Sequence, residues 1–209
     1  MARERPGVRR SQTQVLSPQP SSPTGRCYGL DLAGGQIAPW KRGFYDGGMT
    51  KIESRIAALG LVLPPQLQPP PGVVLPFQFV RLAGRRALIS GHGPQNADGS
   101  LAQPLGKLGR ELSVEQGYVA ARLTALSILG SLQRALEDLD RVASWGRIFG
   151  MVNSAPGFQQ QPSVINGFSD LILELYGPEA GAHARSAVGL AELPFNIPVE
   201  IEGEVEIIA

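Results

Sequence analysis

The chain has 209 residues, of which 43% are apolar, enough for one ordinary domain with its own core. It contains no apolar run of about eighteen residues or more, so no membrane-spanning helix is expected. The net charge of +1 conceals a division: seven Lys/Arg and three Asp/Glu fall in residues 1–48, and the remaining twelve and fifteen leave residues 49–209 at −3. A mildly acidic body argues against a surface that grips phosphate backbones, and so against nucleic acid as a partner. Cys27 is the single cysteine and cannot form an internal disulfide; His92 and His183 are the two histidines, too few for a histidine-based metal centre unless carboxylates complete it. No metal and no membrane partner are expected, and a reducing cytoplasm is the expected setting.

Residues 1–48 are rich in Arg, Ser, Pro, Gln and Gly and show no sustained period of two or of 3.6. They read as a flexible tail or as sequence upstream of a second start at Met49; an organellar transit peptide fits less well with their Asp and Pro-Gln content. From Met49 the pattern becomes orderly, and one domain is expected over 49–209. Thr50–Leu59 predicts a short helix with Ile52, Ile56 and Leu59 on one face, stopped by Gly60. Residues 64–71 form a proline-rich connector expected to be extended. Phe77–Leu82 and Ala87–Ser90 predict two strands joined through Ala83-Gly84-Arg85-Arg86 as a hairpin.

Ser113-Val-Glu-Gln is a capping box that opens a long helix with an apolar line through Val119, Leu123, Leu126, Leu129, Leu132, Leu136 and Leu139. At 1.5 Å per residue this helix reaches roughly 40 Å. Gly117 and Gly130 interrupt it where another element is expected to approach closely. Trp145–Val152 predicts a strand. Pro162 suits the first turn of a second helix that stops at Gly177-Pro178, with Ile165, Phe168, Ile172 and Leu175 as its core face.

The last strand alternates strictly, Val199, Ile201, Val205 and Ile207 against Glu200, Glu202, Glu204 and Glu206. In the strand before it, Val188 and Leu190 share one face, and Arg185, Ala187 and Gly189 the other. The order is β-β-α-β-α-β-β, an α+β domain with one sheet, two helices on one of its faces and an extra N-terminal helix. The helices are expected to bury Val188 and Leu190 with the Val/Ile set, leaving Arg185 beside the glutamates on a face that is solvated or meets another subunit. A cation among side chains too small to cover it has room for an anion. Arg185 therefore reads as a carboxylate binder, or else as half of an interface salt bridge.

Ile89-Ser-Gly-His-Gly-Pro, Val164-Ile-Asn-Gly-Phe, Ala184-Arg-Ser-Ala-Val and Val199-Glu-Ile-Glu, in this order, resemble the RidA (YjgF-type) family, whose members act on reactive enamines and imines. The resemblance covers about residues 50–209. The opening helix and the Asn153-Ser-Ala-Pro-Gly-Phe insert resemble a longer branch of it. It implies a chorismate-mutase-like fold, a homotrimer and a cleft at each subunit boundary. It also implies that Arg185 binds the substrate carboxylate, that Glu200 and the backbone at Ser90-Gly91 place a water, and that Asn166 lies near the cleft. Phe77 stands where deaminating members carry tyrosine, and Ala187 where a cysteine often follows the Arg-Ser pair. Both replaced groups are polar and line the family's site.

Glu200 is thus the candidate catalytic residue, with Arg185, Ser90, Gly91, Phe77 and Asn166 binding substrate. His92 is a possible proton shuttle with a structural role as the alternative; His183, on the strand phase of Arg185, is a weaker candidate for lining the cleft mouth. Ser186 has no suitable His/Asp context for a nucleophile. The expected function is hydrolytic deamination of enamine or imine intermediates of small 2-amino acids to 2-keto acids and ammonia, without a cofactor, because the substrate is already activated. The alternative is a non-catalytic trimer that binds a small carboxylate as a sensor or holding protein, favoured by Phe77 and Ala187. A third reading, an endoribonuclease or translation inhibitor, is a label some family members carry.

Overall fold

The computed structural model describes residues 52–69, 72 and 74–208, together with two three-residue strands, β1 (Tyr28–Leu30) and β2 (Ile37–Pro39). β1 and β2 pair antiparallel, Tyr28 opposite Pro39, within a unit that ends at Tyr45. They were not expected from sequence; the rest of the reading of residues 1–48, Cys27 included, lies outside the described residues.

The second unit begins with α1 (Ile52–Ala58), which buries Ile52 and Ile56 one turn apart. Leu59 falls beyond the helix end and stays 43% exposed, contrary to its predicted place on the core face. Carboxylates tie α1 to the turn of 3-10 helix at Leu139–Arg141: Ile52 N–H donates to Asp140 (2.8 Å) and Leu139 N–H to Glu53 (3.0 Å).

The hairpin is β3 (Val80–Ala83) and β4 (Arg86–His92), with Ala83 paired directly to Arg86. Its turn is therefore two residues, shorter than the four predicted, and Gly84 at φ +61° supplies the positive φ that such a tight turn requires. Phe77–Phe79 precede the strand instead of opening it.

The predicted capping box starts α2 (Val114–Leu136): the Ser113 hydroxyl accepts from Gln116 N–H at 3.3 Å, and the Gln116 side chain accepts from Ser113 N–H at 2.9 Å. Its buried face holds Ala121, Ala125, Ile128, Leu129, Leu132 and Leu136. The line drawn from sequence started too far round, since Val119 is 38% exposed, and it ran on too far, since Leu139 reaches the core from the 3-10 turn. Small residues permit this tilt. A Cβ at Gly117 would stand 2.6 Å from Leu108, and one at Gly130 2.9 Å from the Pro64 carbonyl, so both glycines mark the close approaches their positions implied.

β5 (Val142–Asn153) leads to α3 (Gln161–Ala180), which has Pro162 in its first turn and Ile165, Phe168, Ile172 and Leu175 fully buried. Each such side chain contributes about 1.5–3 kcal/mol of burial. Gly177, at φ +78°, breaks the helix at the predicted stop, after which one more turn follows. β6 (Ala184–Leu190) and β7 (Val199–Ile207) complete the domain.

The strand order is β3-β4-β7-β5-β6. β7 lies antiparallel between β4 and β5, and β5-α3-β6 is a parallel crossover. Helices α2 and α3 cover one sheet face, as the β-β-α-β-α-β-β reading required, and Val199, Ile201, Val205 and Ile207 point into that layer. The other face is open.

The facing of β6 is opposite to the one predicted. Arg185 pairs with Ile148 of β5, which is fully buried under the helices, so Arg185 and Ala187 face the helix layer and Ser186, Val188 and Leu190 the open face. The physical reason is position. β6 is an edge strand whose residues are half-buried or exposed throughout, so apolar alternation does not reveal which side meets the core.

Candidate functional site

Arg185 projects from β6 toward the N-terminal half of α3. Its Nη1 donates to Asn166 Oδ1 (3.0 Å) and Ser169 Oγ (2.9 Å), and its Nη2 to the Pro162 carbonyl (3.4 Å). Asn166 and Ser169, three apart on one helix, present neighbouring side chains to the same strand. All three acceptors are neutral, and among the described residues no carboxylate forms an ion pair with Arg185. Burial draws the guanidinium below its ordinary pKa, and the charge of Asp170 opposes that. Asp170 itself is pushed up by burial, against the hydrogen bond it accepts from Tyr118 (2.9 Å) and the charge of Arg185.

Glu200 lies on the open face, paired in register with Met151. Its carboxylate folds over Gly91 in the irregular stretch of β4: a Cβ at Gly91 would stand 2.0 Å from Glu200 Oε1. Burial, then the charge of Glu202, raises the Glu200 pKa above the ordinary carboxylate range. Phe77 is half exposed, edge-on to Phe79 at 5.5 Å. With Ser90, Leu88, Arg147, Phe149 and Glu202 it lines an open concavity of about 750 Å³ on this face.

Two expected contributors are already engaged by protein groups. The Ser90 hydroxyl donates to the Gln78 carbonyl (2.7 Å) and its N–H to the Phe79 carbonyl (3.0 Å), so its amide is not available to a ligand. His92 is buried on the helix side. Its Nδ1 meets the Ser90 carbonyl (2.7 Å), and its Nε2 meets the Ser131 hydroxyl (2.9 Å), which also accepts from Arg134 (3.0 Å). Burial lowers its pKa to about 4, an effect the Ser90 carbonyl opposes. His92 is therefore a neutral core residue, and a shuttle role is contradicted by its position.

Phe77, Ser90, Gly91 and Glu200 belong to the open side of the sheet, and Arg185 and Asn166 to the helix side, with β5 between β6 and β7. A single protomer does not bring the two sets together. Sequence reading missed Ser169 and Asp170 and placed His183 last. The available signal was spacing: Ser169 follows Asn166 by three on a helix already recognised.

A family profile described as "YjgF/chorismate mutase-like, putative endoribonuclease" matches residues 53–200. Protein TCP17 of Trypanosoma cruzi is 40% identical over 157 residues, covering 75% of this chain and 94% of that protein. Among solved structures, Atu1372 of Agrobacterium tumefaciens is 38% identical with a TM-score of 0.66, covering 75% of this chain and 92% of its own. A Shewanella oneidensis MR-1 protein with the same endoribonuclease description is 30% identical with a TM-score of 0.68, covering 76% of this chain and 100% of its own. The profile match takes in α1, both long helices and the sheet as far as the start of β7, Arg185 and Glu200 included, and the chain belongs to the YjgF/chorismate mutase-like family that its motifs resemble.

Proposed function

We propose that the protein hydrolyses the imine form of short, enamine-derived 2-imino acids to 2-keto acids and ammonia, in clefts between the subunits of a homotrimer. The observation that carries this reading is the half-buried Arg185 guanidinium, held by neutral acceptors alone. Among the described residues, three of its five N–H groups have protein partners. The Nε–H and one Nη2–H remain for a ligand, and the Nε/Nη2 side of a guanidinium suits two parallel hydrogen bonds to a carboxylate. Because Glu200 lies on the opposite sheet face, the Arg185 of one protomer would work with the Glu200 of a neighbour.

In that cleft the carboxylate of Glu200 accepts a proton from water as its oxygen adds to the imine carbon. Glu200 returns that proton to the nitrogen, giving a neutral carbinolamine; the hydroxyl proton then passes through the same carboxylate to the nitrogen as the C–N bond breaks, so that ammonia leaves and the carbonyl forms. A raised Glu200 pKa suits a base that must also return its proton near neutrality. Phe77 would offer an apolar wall to a short side chain.

A second reading, carriage or sensing of a small carboxylate without turnover, is favoured by Phe77 and Ala187 at positions where polar groups would assist chemistry. The endoribonuclease description of the family finds less support. Of the two histidines, His92 is buried with both ring nitrogens occupied and His183 is bonded at both nitrogens, so neither offers the free acid–base pair that such cleavage commonly uses.

The test is ammonia release from freshly generated 2-aminoacrylate. Wild type is expected to accelerate it and Arg185→Ala to lose roughly a hundredfold in kcat/KM, the scale of a removed charged hydrogen-bond pair. Carboxylate binding without acceleration would replace the enzyme reading with the carrier one.

A further inference from the structure

Ser169 is buried on α3, and its hydroxyl oxygen has two close neighbours: Arg185 Nη1 at 2.9 Å and His183 Nε2 at 2.9 Å. The chemistry of the groups around the ring fixes the protons of a neutral imidazole. His183 Nδ1 faces the Gly181 carbonyl at 2.8 Å, a group that only accepts, so Nδ1 carries the ring proton. Nε2 is then unprotonated and accepts the Ser169 O–H, while the serine oxygen accepts from Arg185, which only donates. The Phe168 ring, edge-on at 5.8 Å, holds the imidazole in place. Burial draws the His183 pKa below its ordinary value and the charge of Arg185 acts in the same direction, while the Gly181 carbonyl opposes them.

The same donor order recurs on the other side of the helix layer. Arg134 donates to Ser131, Ser131 meets His92 Nε2, and His92 Nδ1 meets a carbonyl two residues earlier in the chain. There the guanidinium holds the Pro64 carbonyl at 3.0 Å and ties the proline-rich connector to α2. In this fold a serine backed by a neutral histidine is thus a device for fixing an arginine.

We infer that Ser169 and His183 are positioning residues for Arg185: the neutral imidazole takes the serine proton, the serine oxygen is thereby turned to the guanidinium, and the free edge of Arg185 is aimed outward for an incoming carboxylate. This rests on the carboxylate-binding reading given above. Neither residue touches the ligand, and both act through the orientation of Arg185.

The experiment uses the full chain, pyruvate as the probe in calorimetric titration, and ¹⁵N NMR of the Arg185 side chain without ligand. In Ser169→Ala and His183→Leu, pyruvate affinity is expected to fall roughly tenfold, the scale of one lost hydrogen bond. KM for 2-aminoacrylate should rise with kcat nearly unchanged, and the Arg185 N–H signals should collapse to an exchange average. His183→Gln retains an acceptor for the serine proton and should stay within about twofold of wild type with distinct Arg185 signals. Arg185 signals unchanged in Ser169→Ala and His183→Leu overturn the proposal, as does His183→Gln failing as badly as His183→Leu. If wild type does not bind pyruvate while the NMR pattern follows expectation, the carboxylate reading fails and the positioning role is supported.

Discussion

The Glu200 carboxylate occupies the space into which any side chain on Gly91 would grow, with Oε1 2.0 Å from the site of the missing Cβ. The absence of a side chain at one position thus sets where the half-buried Glu200 carboxylate can rest. Gly91→Ala is expected to displace the Glu200 carboxylate, the far end of a flexible side chain, while the strand stays in place. Imine hydrolysis should drop at least tenfold, with less than about 1 kcal/mol lost in chemical denaturation, because nothing in the core is disturbed.

The acid limb of the pH–rate profile follows from the same residue. Burial and Glu202 hold the Glu200 pKa above the ordinary carboxylate range, and the ionised form is the one that accepts a proton from water. The rate should rise with pH through an apparent pKa above that of an ordinary glutamate, and Glu200→Gln should remove both the limb and most of the activity. A profile of kcat/KM against pH in the two proteins decides it.

Because Arg185 and Glu200 stand on opposite sheet faces, two defective chains should complement each other. Arg185→Ala and Glu200→Gln proteins, each strongly impaired, are expected on co-refolding in equal amounts to recover about a quarter of wild-type activity, the statistical share of clefts that receive both intact residues. Ammonia release from the mixture, compared with each variant alone, is the measurement. No recovery would mean that the two residues do not share a cleft.

Helix α3 packs tightly on α2 at Gly167, where a Cβ would stand 2.0 Å from the Tyr118 carbonyl. Backbone cannot move aside as a side chain can, so Gly167→Ala must push the helices apart. A loss of about 2–3 kcal/mol is expected, lowering Tm by roughly 5–10 °C, with carboxylate affinity reduced because Asn166 and Ser169 move with the helix.

His92 makes stability depend on pH. Its pKa is about 4 in the folded protein against 6.5 for an ordinary histidine, so between those values the unfolded chain binds a proton that the folded chain does not. Stability is unaffected by this group above pH 6.5 and falls as pH drops from 6.5 to 4, by about 3 kcal/mol in all. Urea titrations at pH 7, 5.5 and 4.5 should show the decline, and His92→Gln should flatten it.

What was legible in the chain was whatever one-sided burial writes as a period. The core face of α3 and the alternation of β7 both lie beneath or within the middle of the sheet, where one side is dry and the other is not, and each residue expected inside is inside. The capping box, the helix stop at Gly177 and the close approaches at Gly117 and Gly130 were equally local, and local chemistry announces itself in neighbouring letters. Arg185 was singled out by its small neighbours, and Ala187 and Gly189 do share its face. Which face that was could not be read, because an edge strand is half-wet on both sides. The line through Val119 failed for a related reason, since a helix that buries alanines can turn its leucines partly outward.

Sequence alone determined the order of elements from α1 onward and the family, and it singled out the arginine and glutamate as candidates, because periodicity, caps and short motifs are properties of adjacent residues. The tertiary structure decided how they are deployed: Arg185 against α3, Glu200 over Gly91, His92 in the core and Ser169 between Arg185 and His183. Those contacts join residues 14 to 109 positions apart in the chain, and only the register of β7 between β4 and β5, with the parallel crossover through α3, brings them within reach.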